Sequence, residues 1–299
     1  MDKVIINDVA PRDGLQNDPV ALSPAERVAL IDGLLDAGLP SVEVASFVSP
    51  KAVPKMAGAA DVVEALDLDR ADFHALVPNR KGYELACASG IRSVGVVLSG
   101  TETMNRENIN MSLDRATSVC AEVLQQARAD GLGARAYVSV AFECPFEGVV
   151  PDETIERLAA VMFDAGADEV IVADTIGAGN PLRAKALFGR MVAAFGATRL
   201  AAHLHDTRAL ALANAWQALE CGIRRFDSSA GGVGGCPFAP GAAGNLATED
   251  LVSLLHQAGM HTGIDLAALL NVVSDLGQRL GRSIGGRTVP WLRRNLAAA

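Results

Sequence analysis

The chain has no basic run longer than pairs such as Arg224-Arg225 and Arg293-Arg294, and its 26 Lys and Arg are outnumbered by 35 Asp and Glu, a formal charge of −9. A polyanionic partner needs a clustered positive face. Neither nucleic acid nor an anionic membrane is therefore expected as a partner. There is no CxxC pair. The five cysteines (Cys87, Cys120, Cys144, Cys221 and Cys236) are an odd, widely spaced set, which suits free thiols in a reducing compartment and argues against a disulfide framework. No apolar run reaches the ~18 residues a membrane span needs. The first residues carry Asp2, Lys3 and Asp8 instead of a signal-type apolar stretch, so the expected location is cytoplasmic. No Pro/Ser-rich linker divides the chain, and no GKS/T follows its glycine-rich stretch, which removes the Walker phosphate loop.

What is present is apolar and repetitive. Half of the 299 residues are hydrophobic, enough for a large core without staples, and only 20% are charged, which excludes intrinsic disorder. Short β-branched runs alternate with Ala/Leu-rich stretches of helical length. Strands are expected at 4–9, 41–45, 72–77, 92–98, 134–141, 169–173, 199–204 and 224–228. Helices fit between them at 23–37, 55–66, 81–89, 113–130, 152–165, 181–194 and 208–220. The first helix opens with Ser23, Pro24 and Glu26, an N-cap, an N1 proline and a capping-box glutamate. Several helices end at glycine, as C-caps do. Eight unbroken βα units predict an α/β fold, a (β/α)8 TIM barrel, in preference to an open doubly wound sheet. One catalytic unit over 1–299 is expected, with the barrel at about 4–260. Two more helical stretches, 245–258 and 265–280, lead into an extension at about 261–299 that caps or flanks the barrel.

In such a barrel the chemistry sits where strands hand over to loops. His203 and His205 are two apart at the end of the seventh strand, so their imidazoles share a face. That is half of a divalent-metal site, or else a pair of polar loop histidines. Arg12 and Asp13 follow the first strand, at the barrel mouth or in a plain Asp-Gly turn. Glu43 lies within an apolar strand, which is costly unless the carboxylate is paired or liganded. Asp174 closes the sixth strand as a supporting carboxylate or an N-cap. His74, His256 and His261 sit apart. After the eighth strand, the glycine-rich segment 231–245 is suited to a loop that opens and closes over a site. It carries Cys236, a candidate general acid, and Asn245, whose amide oxygen suits a hard metal.

Four segments together resemble the 3-hydroxy-3-methylglutaryl-CoA (HMG-CoA) lyases: Pro11-Arg-Asp-Gly-Leu-Gln16, Val42-Glu-Val-Ala-Ser-Phe-Val-Ser-Pro-Lys51, His203-Leu-His-Asp206 and Gly234-Gly-Cys-Pro-Phe-Ala-Pro-Gly-Ala-Ala-Gly-Asn245. The likeness runs from Val4 to about Gly281. It implies a metal-dependent carbon–carbon lyase yielding acetyl-CoA and acetoacetate, as in leucine degradation, and a homodimer acting on an acyl-CoA. Asp13, His203, His205 and Asn245 would ligate Mg2+ or Mn2+. Arg12 would stabilise the enolate, Glu43 would be the essential glutamate, His203 or Asp13 would take the hydroxyl proton, and Cys236 would take part in proton transfer. Three positions depart from the family pattern. Asp8 stands where Glu is usual, Glu143 where Gly is common, and Ile171 where Ser is frequent. They bear on the acyl group more than on the reaction type, so a related 3-hydroxyacyl-CoA is an alternative substrate. A Claisen-condensing synthase would use the same ligands, but usually has Glu where Leu15 stands.

Overall fold

A computed structural model describes residues 3–235 and 244–296. Strands β1 (Ile5–Asp8), β2 (Ser41–Ser46), β3 (Asp72–Leu76), β4 (Ser93–Ser99) and β5 (Gly133–Ser139) are followed by a small hairpin, β6 (Glu143–Cys144) and β7 (Gly148–Val149). Then come β8 (Glu169–Asp174), β9 (Leu200–Leu204) and β10 (Arg225–Ser228). The eight strands other than the hairpin are parallel and close into a barrel, with β1 paired to β10 on one side and β2 on the other. All eight expected strands are present. Their apolar runs read as continuous because both faces are covered, the inner by barrel side chains and the outer by helices; β2, β8 and β9 are buried at every position.

The helices are α1 (Pro24–Asp36), α2 (Ala59–Glu64), α3 (Arg80–Ala88), α4 (Glu102–Ile109), α5 (Leu113–Ala129), α6 (Asp152–Ala165), α7 (Pro181–Phe195), α8 (Ala211–Glu220), α9 (Thr248–Gln257), α10 (Leu266–Arg279) and α11 (Val289–Leu296). The capping box of α1 forms as its sequence requires. Ser23 Oγ accepts from the Glu26 amide at 3.3 Å, and the Glu26 carboxylate accepts from the Ser23 amide at 2.8 Å.

Two expectations change, and a third is narrowed. The helix expected at 55–66 is split into a 3-10 turn at Pro54–Met56 and the short α2, because Gly58 takes a left-handed φ of +71° between them. Helices α4 and α11 were not anticipated; their stretches are rich in polar residues and lack a long apolar period. Of the two places open to the C-terminal helices, capping or flanking, they take the flank. Helix α9 follows the eighth barrel strand and packs on α8, while α10 lies outside against α1 and α9. So the C-terminal layer flanks the barrel, with α10 also touching the turn Ala230–Gly232 that follows β10.

Two buried carboxylates at the start of α9 anchor two loops. Glu249 accepts from the Gly231 amide at 3.0 Å and the Gly286 amide at 2.6 Å, and Asp250 accepts from the amides of Arg287 and Thr288. The base of the glycine-rich loop and the last loop of the chain are thereby tied to one helix N-terminus.

Gly38, which closes α1, gives a check on the α1–α10 packing. Its φ is +93°, and a Cβ there would lie 2.4 Å from the Gly263 carbonyl oxygen. Gly38→Ala should cost about 1–3 kcal/mol, read as a lower urea midpoint at unchanged m-value. An unchanged midpoint would show that the backbones do not need this approach.

Candidate functional site

The site is built from the last residues of three strands. His203 lies in β9 and His205 just beyond it, with outward-facing Leu204 between, so both imidazoles enter the barrel mouth. A β-bridge between His205 and Asn245 brings the far end of the glycine-rich segment alongside. Asp13 comes from the wide helical turn Ala10–Gly14 that follows β1. The ligand atoms of Asp13, His203 and His205 all lie within 4.8 Å of one another, and the two histidine Nε2 atoms are 3.1 Å apart.

Hydrogen bonds beneath the cluster fix its donors. Ser41 Oγ donates to Asn7 Oδ1 at 2.9 Å, Asn7 Nδ2 donates to Asp227 Oδ1 at 2.8 Å, and Asp227 Oδ2 faces His203 Nδ1 at 3.1 Å. His203 therefore carries its proton on Nδ1 and turns the Nε2 lone pair toward the cluster, the arrangement a metal-ligating imidazole needs. Asn245 Nδ2 donates to Asp13 Oδ2 at 2.8 Å and to the Val233 carbonyl at 3.1 Å. Its Oδ1 is buried and has no hydrogen-bond partner among the described residues. A buried acceptor without a partner beside two imidazoles and a carboxylate fits a divalent cation.

Arg12 adjoins this cluster. Its guanidinium is 2.9 Å from Asp13 Oδ1 and 2.6 Å from Glu43 Oε2, and Glu43 is fully buried. Burial alone would raise the Asp13 pKa, but the Arg12 charge and the two imidazoles outweigh it and hold the carboxyl at about 2. For Glu43, burial pushes the pKa upward against the pull of Arg12. Burial alone would lower the His203 pKa; the hydrogen bond and charge of Asp227 win, and raise it. Above the polar floor, a cleft of about 270 Å³ is walled by apolar side chains that include Val48, Leu76, Val97 and Met104, with Gln16, Asn108 and Thr175 among its polar lining.

Asp13, His203, His205 and Asn245 thus converge, with Arg12 and Glu43 against them. Cys236 lies outside the described residues, although neighbouring Gly235 lines the cleft. Asp174 caps the turn after β8 by accepting from the Ala178 and Gly179 amides. Asp8 does not touch Arg12; its carboxylate accepts from the Ala10 amide and Thr248 Oγ1. Glu143 lies on the hairpin, 3.5 Å from Arg208. Ile171 is buried inside the barrel with Tyr137 and Ala201. His74 does not sit apart, as expected from the sequence, because its imidazole is 3.2 Å from the hydroxyl of cleft-lining Tyr137. Sequence reasoning missed Asp227 and Tyr137. Asp227 was open to the argument applied to Glu43, as a carboxylate within a buried strand.

A profile of the HMGL-like family matches residues 3–276. The hydroxymethylglutaryl-CoA lyase YngG of Bacillus subtilis is 41% identical over 288 residues, 96% of each chain. The (R)-citramalyl-CoA lyase of Chloroflexus aurantiacus is 43% identical over 95% of this chain and 93% of that one. A structure of an HMG-CoA lyase from Acinetobacter baumannii, in complex with coenzyme A and 3-methylmalate, superposes with a TM-score of 0.92 at 33% identity, covering 96% of this chain and 94% of that one. With its barrel, its cluster of Asp13, His203 and His205, and this likeness over nearly its whole length, the chain belongs to the HMGL-like family and is an HMG-CoA lyase-type carbon–carbon lyase.

Proposed function

We propose that the enzyme cleaves 3-hydroxy-3-methylglutaryl-CoA to acetyl-CoA and acetoacetate. The observation that carries this reading is the convergence of Asp13, His203, His205 and Asn245 beside the paired Arg12, in a chain whose relatives at about 40% identity include HMG-CoA lyases. Asp13, His203, His205 and Asn245 would hold Mg2+ or Mn2+. When bound, the ion supplies Lewis-acid charge that lowers the pKa of a hydroxyl near it.

The chain's own groups divide the remaining work. Arg12, fixed in orientation by Glu43 and Asp13, presents a guanidinium edge where negative charge develops on the thioester oxygen as the C2–C3 bond breaks. Its buried setting strengthens that interaction, because little water competes. Glu43 acts by holding Arg12 in place. The C3 hydroxyl proton passes to Asp13, or to His203 once its Nε2 is released from the cation; in the second case the Asp227 carboxylate at Nδ1 stabilises the resulting imidazolium. The apolar cleft walls keep solvent from the enolate, and Cys236 on the glycine-rich loop returns a proton to its carbon.

The acyl group is the finer question, because the citramalyl-CoA lyase is as similar as the HMG-CoA lyases. Ile171 favours a second reading, a related 3-hydroxyacyl-CoA, since it makes the barrel interior beneath the cleft apolar. Acetyl-CoA release should be measured across HMG-CoA, citramalyl-CoA and longer 3-alkyl analogues. HMG-CoA should give the highest kcat/KM, and a tenfold preference for any other thioester would replace it as the substrate.

Chelation should abolish turnover, and Mg2+ or Mn2+ should restore it. His205→Ala should weaken metal affinity by roughly tenfold or more, as measured by calorimetry on the apo-protein. Full activity after exhaustive chelation would remove the metal from the reaction. Arg12→Lys keeps the charge but loses the planar fork that engages Glu43 and Asp13 together. It should lower kcat on the order of 10³-fold, the scale of losing a preorganised oxyanion donor, with a smaller change in KM. Near-normal kcat in that variant would mean that Arg12 does not stabilise the enolate.

A further inference from the structure

His74 is fully buried on β3, and the chemistry above does not use it. Its two ring nitrogens meet partners of different character. Arg135 Nη1 lies 3.3 Å from Nδ1, and the Tyr137 hydroxyl lies 3.2 Å from Nε2. A guanidinium can only donate, and Arg135 is held charged by Asp72 and Glu169. Nδ1 must therefore accept and cannot carry a proton. That excludes both the Nδ1–H tautomer and the imidazolium. The ring proton sits on Nε2 and is donated to the Tyr137 oxygen.

This fixes the direction of the next bond. A phenol that accepts from His74 cannot also point its own O–H at His74. Among the described residues Tyr137 has no second hydrogen-bond partner. Its side chain lines the cleft with Arg12 and His203, and its ring stands edge-on to that of His203 with centroids 6.3 Å apart. The contact between His74 and Tyr137 is itself unusual, because β3 and β5 are separated by β4. Strands two apart in a sheet are about 9–10 Å from each other. The intervening residue is Gly95, where a Cβ would lie 3.4 Å from Tyr137 Cε2 and 3.8 Å from His74 Cδ2. Any longer side chain there would fill the space in which the imidazole reaches the phenol.

We propose that His74 is a positioning residue that, through its Nε2–H, makes the Tyr137 hydroxyl an obligate hydrogen-bond donor to an oxygen of the bound acyl-CoA. The proposal rests on the acyl-CoA lyase reading for its ligand, but not for the tautomer. It explains why a neutral histidine lies between a charged arginine and a tyrosine, where an apolar side chain would leave a buried guanidinium N–H without its acceptor.

The tautomer is read without substrate by nitrogen-15 NMR of histidine-labelled protein at pH 7, with the His74 signals assigned by their loss in His74→Gln. The Nε2–H pattern is expected, and an Nδ1–H or imidazolium pattern overturns the proposal. Kinetics then use whichever 3-hydroxyacyl-CoA the wild type cleaves fastest. Tyr137→Phe should lose about tenfold in kcat, the scale of one hydrogen bond, with little change in KM. His74→Leu should lose a similar factor, and the double variant should be no slower than Tyr137→Phe alone. His74→Gln, whose amide can accept from Arg135 and donate to Tyr137, should recover most of the activity. Additive losses in the double variant, or normal kcat in Tyr137→Phe, would reduce His74 to packing. If His74→Leu does not fold, His74→Gln gives the same cycle with Tyr137→Phe. It should match wild type in the Tyr137 background, and a tenfold loss there would overturn the role. A wild type that cleaves none of the thioesters would refute the substrate reading, while the tautomer result would still judge His74.

Discussion

The Arg12 guanidinium is the charge around which the rest of the site is arranged. It is nearly inaccessible to water, and it is tolerated there only because Asp13 and Glu43 both reach it. Removing one partner of a buried ion pair typically costs about 3–5 kcal/mol, since the other charge is left uncompensated. Arg12 and Asp13 follow β1 and Glu43 is inside β2, so the pairing depends on those strands being adjacent. The same contact holds Asp13 ionised, and with it the carboxylate that stands beside His203 and His205. Electrostatics and topology therefore constrain each other: the strand order brings the charges together, and the charges are stable only in that order.

Much of this was legible in the sequence, for reasons that can be named. The β-branched runs gave all eight barrel strands, since parallel strands covered on both faces show little else. Two histidines at a spacing of two must share a face, and a glutamate among valines must have a partner. The supports of the site were harder to read. Ser41, Asn7 and Asp227 cooperate across up to 220 residues of chain, and nothing local marks them as a set. His74 looked isolated because its contact to Tyr137 crosses an intervening strand and depends on a glycine in a third element. The place of α10 was also hidden: an amphipathic helix after the last strand can cover the mouth or the flank, and only its packing against α1 and α9 decides.

The cleft itself pairs opposites. Its floor gathers Arg12, Asp13 and two imidazoles, while much of its wall, from Val48 and Val53 to Met104 and Ile109, is apolar. Ile171 and Ala201 extend the apolar character below Tyr137, inside the barrel. Such a setting makes each polar group on the floor worth more than it would be in water. Discrimination among acyl groups can therefore draw on shape at the apolar wall and on the polar side chains of Gln16, Asn17, Asn108, Ser139 and Thr175 that also line the cleft.

The carboxamide of Asn7 lies on the seam where the first and last barrel strands meet. Through it, the orientation of His203 depends on a contact between residues 220 apart. During synthesis the β1 edge waits unpaired until β10 has left the ribosome, so no partial product can present a correctly turned imidazole. A cation that recognises the finished cluster would bind only chains that have already closed. It would then act as a latch on ring closure, slowing the opening of this seam more than it speeds the approach of the two strands.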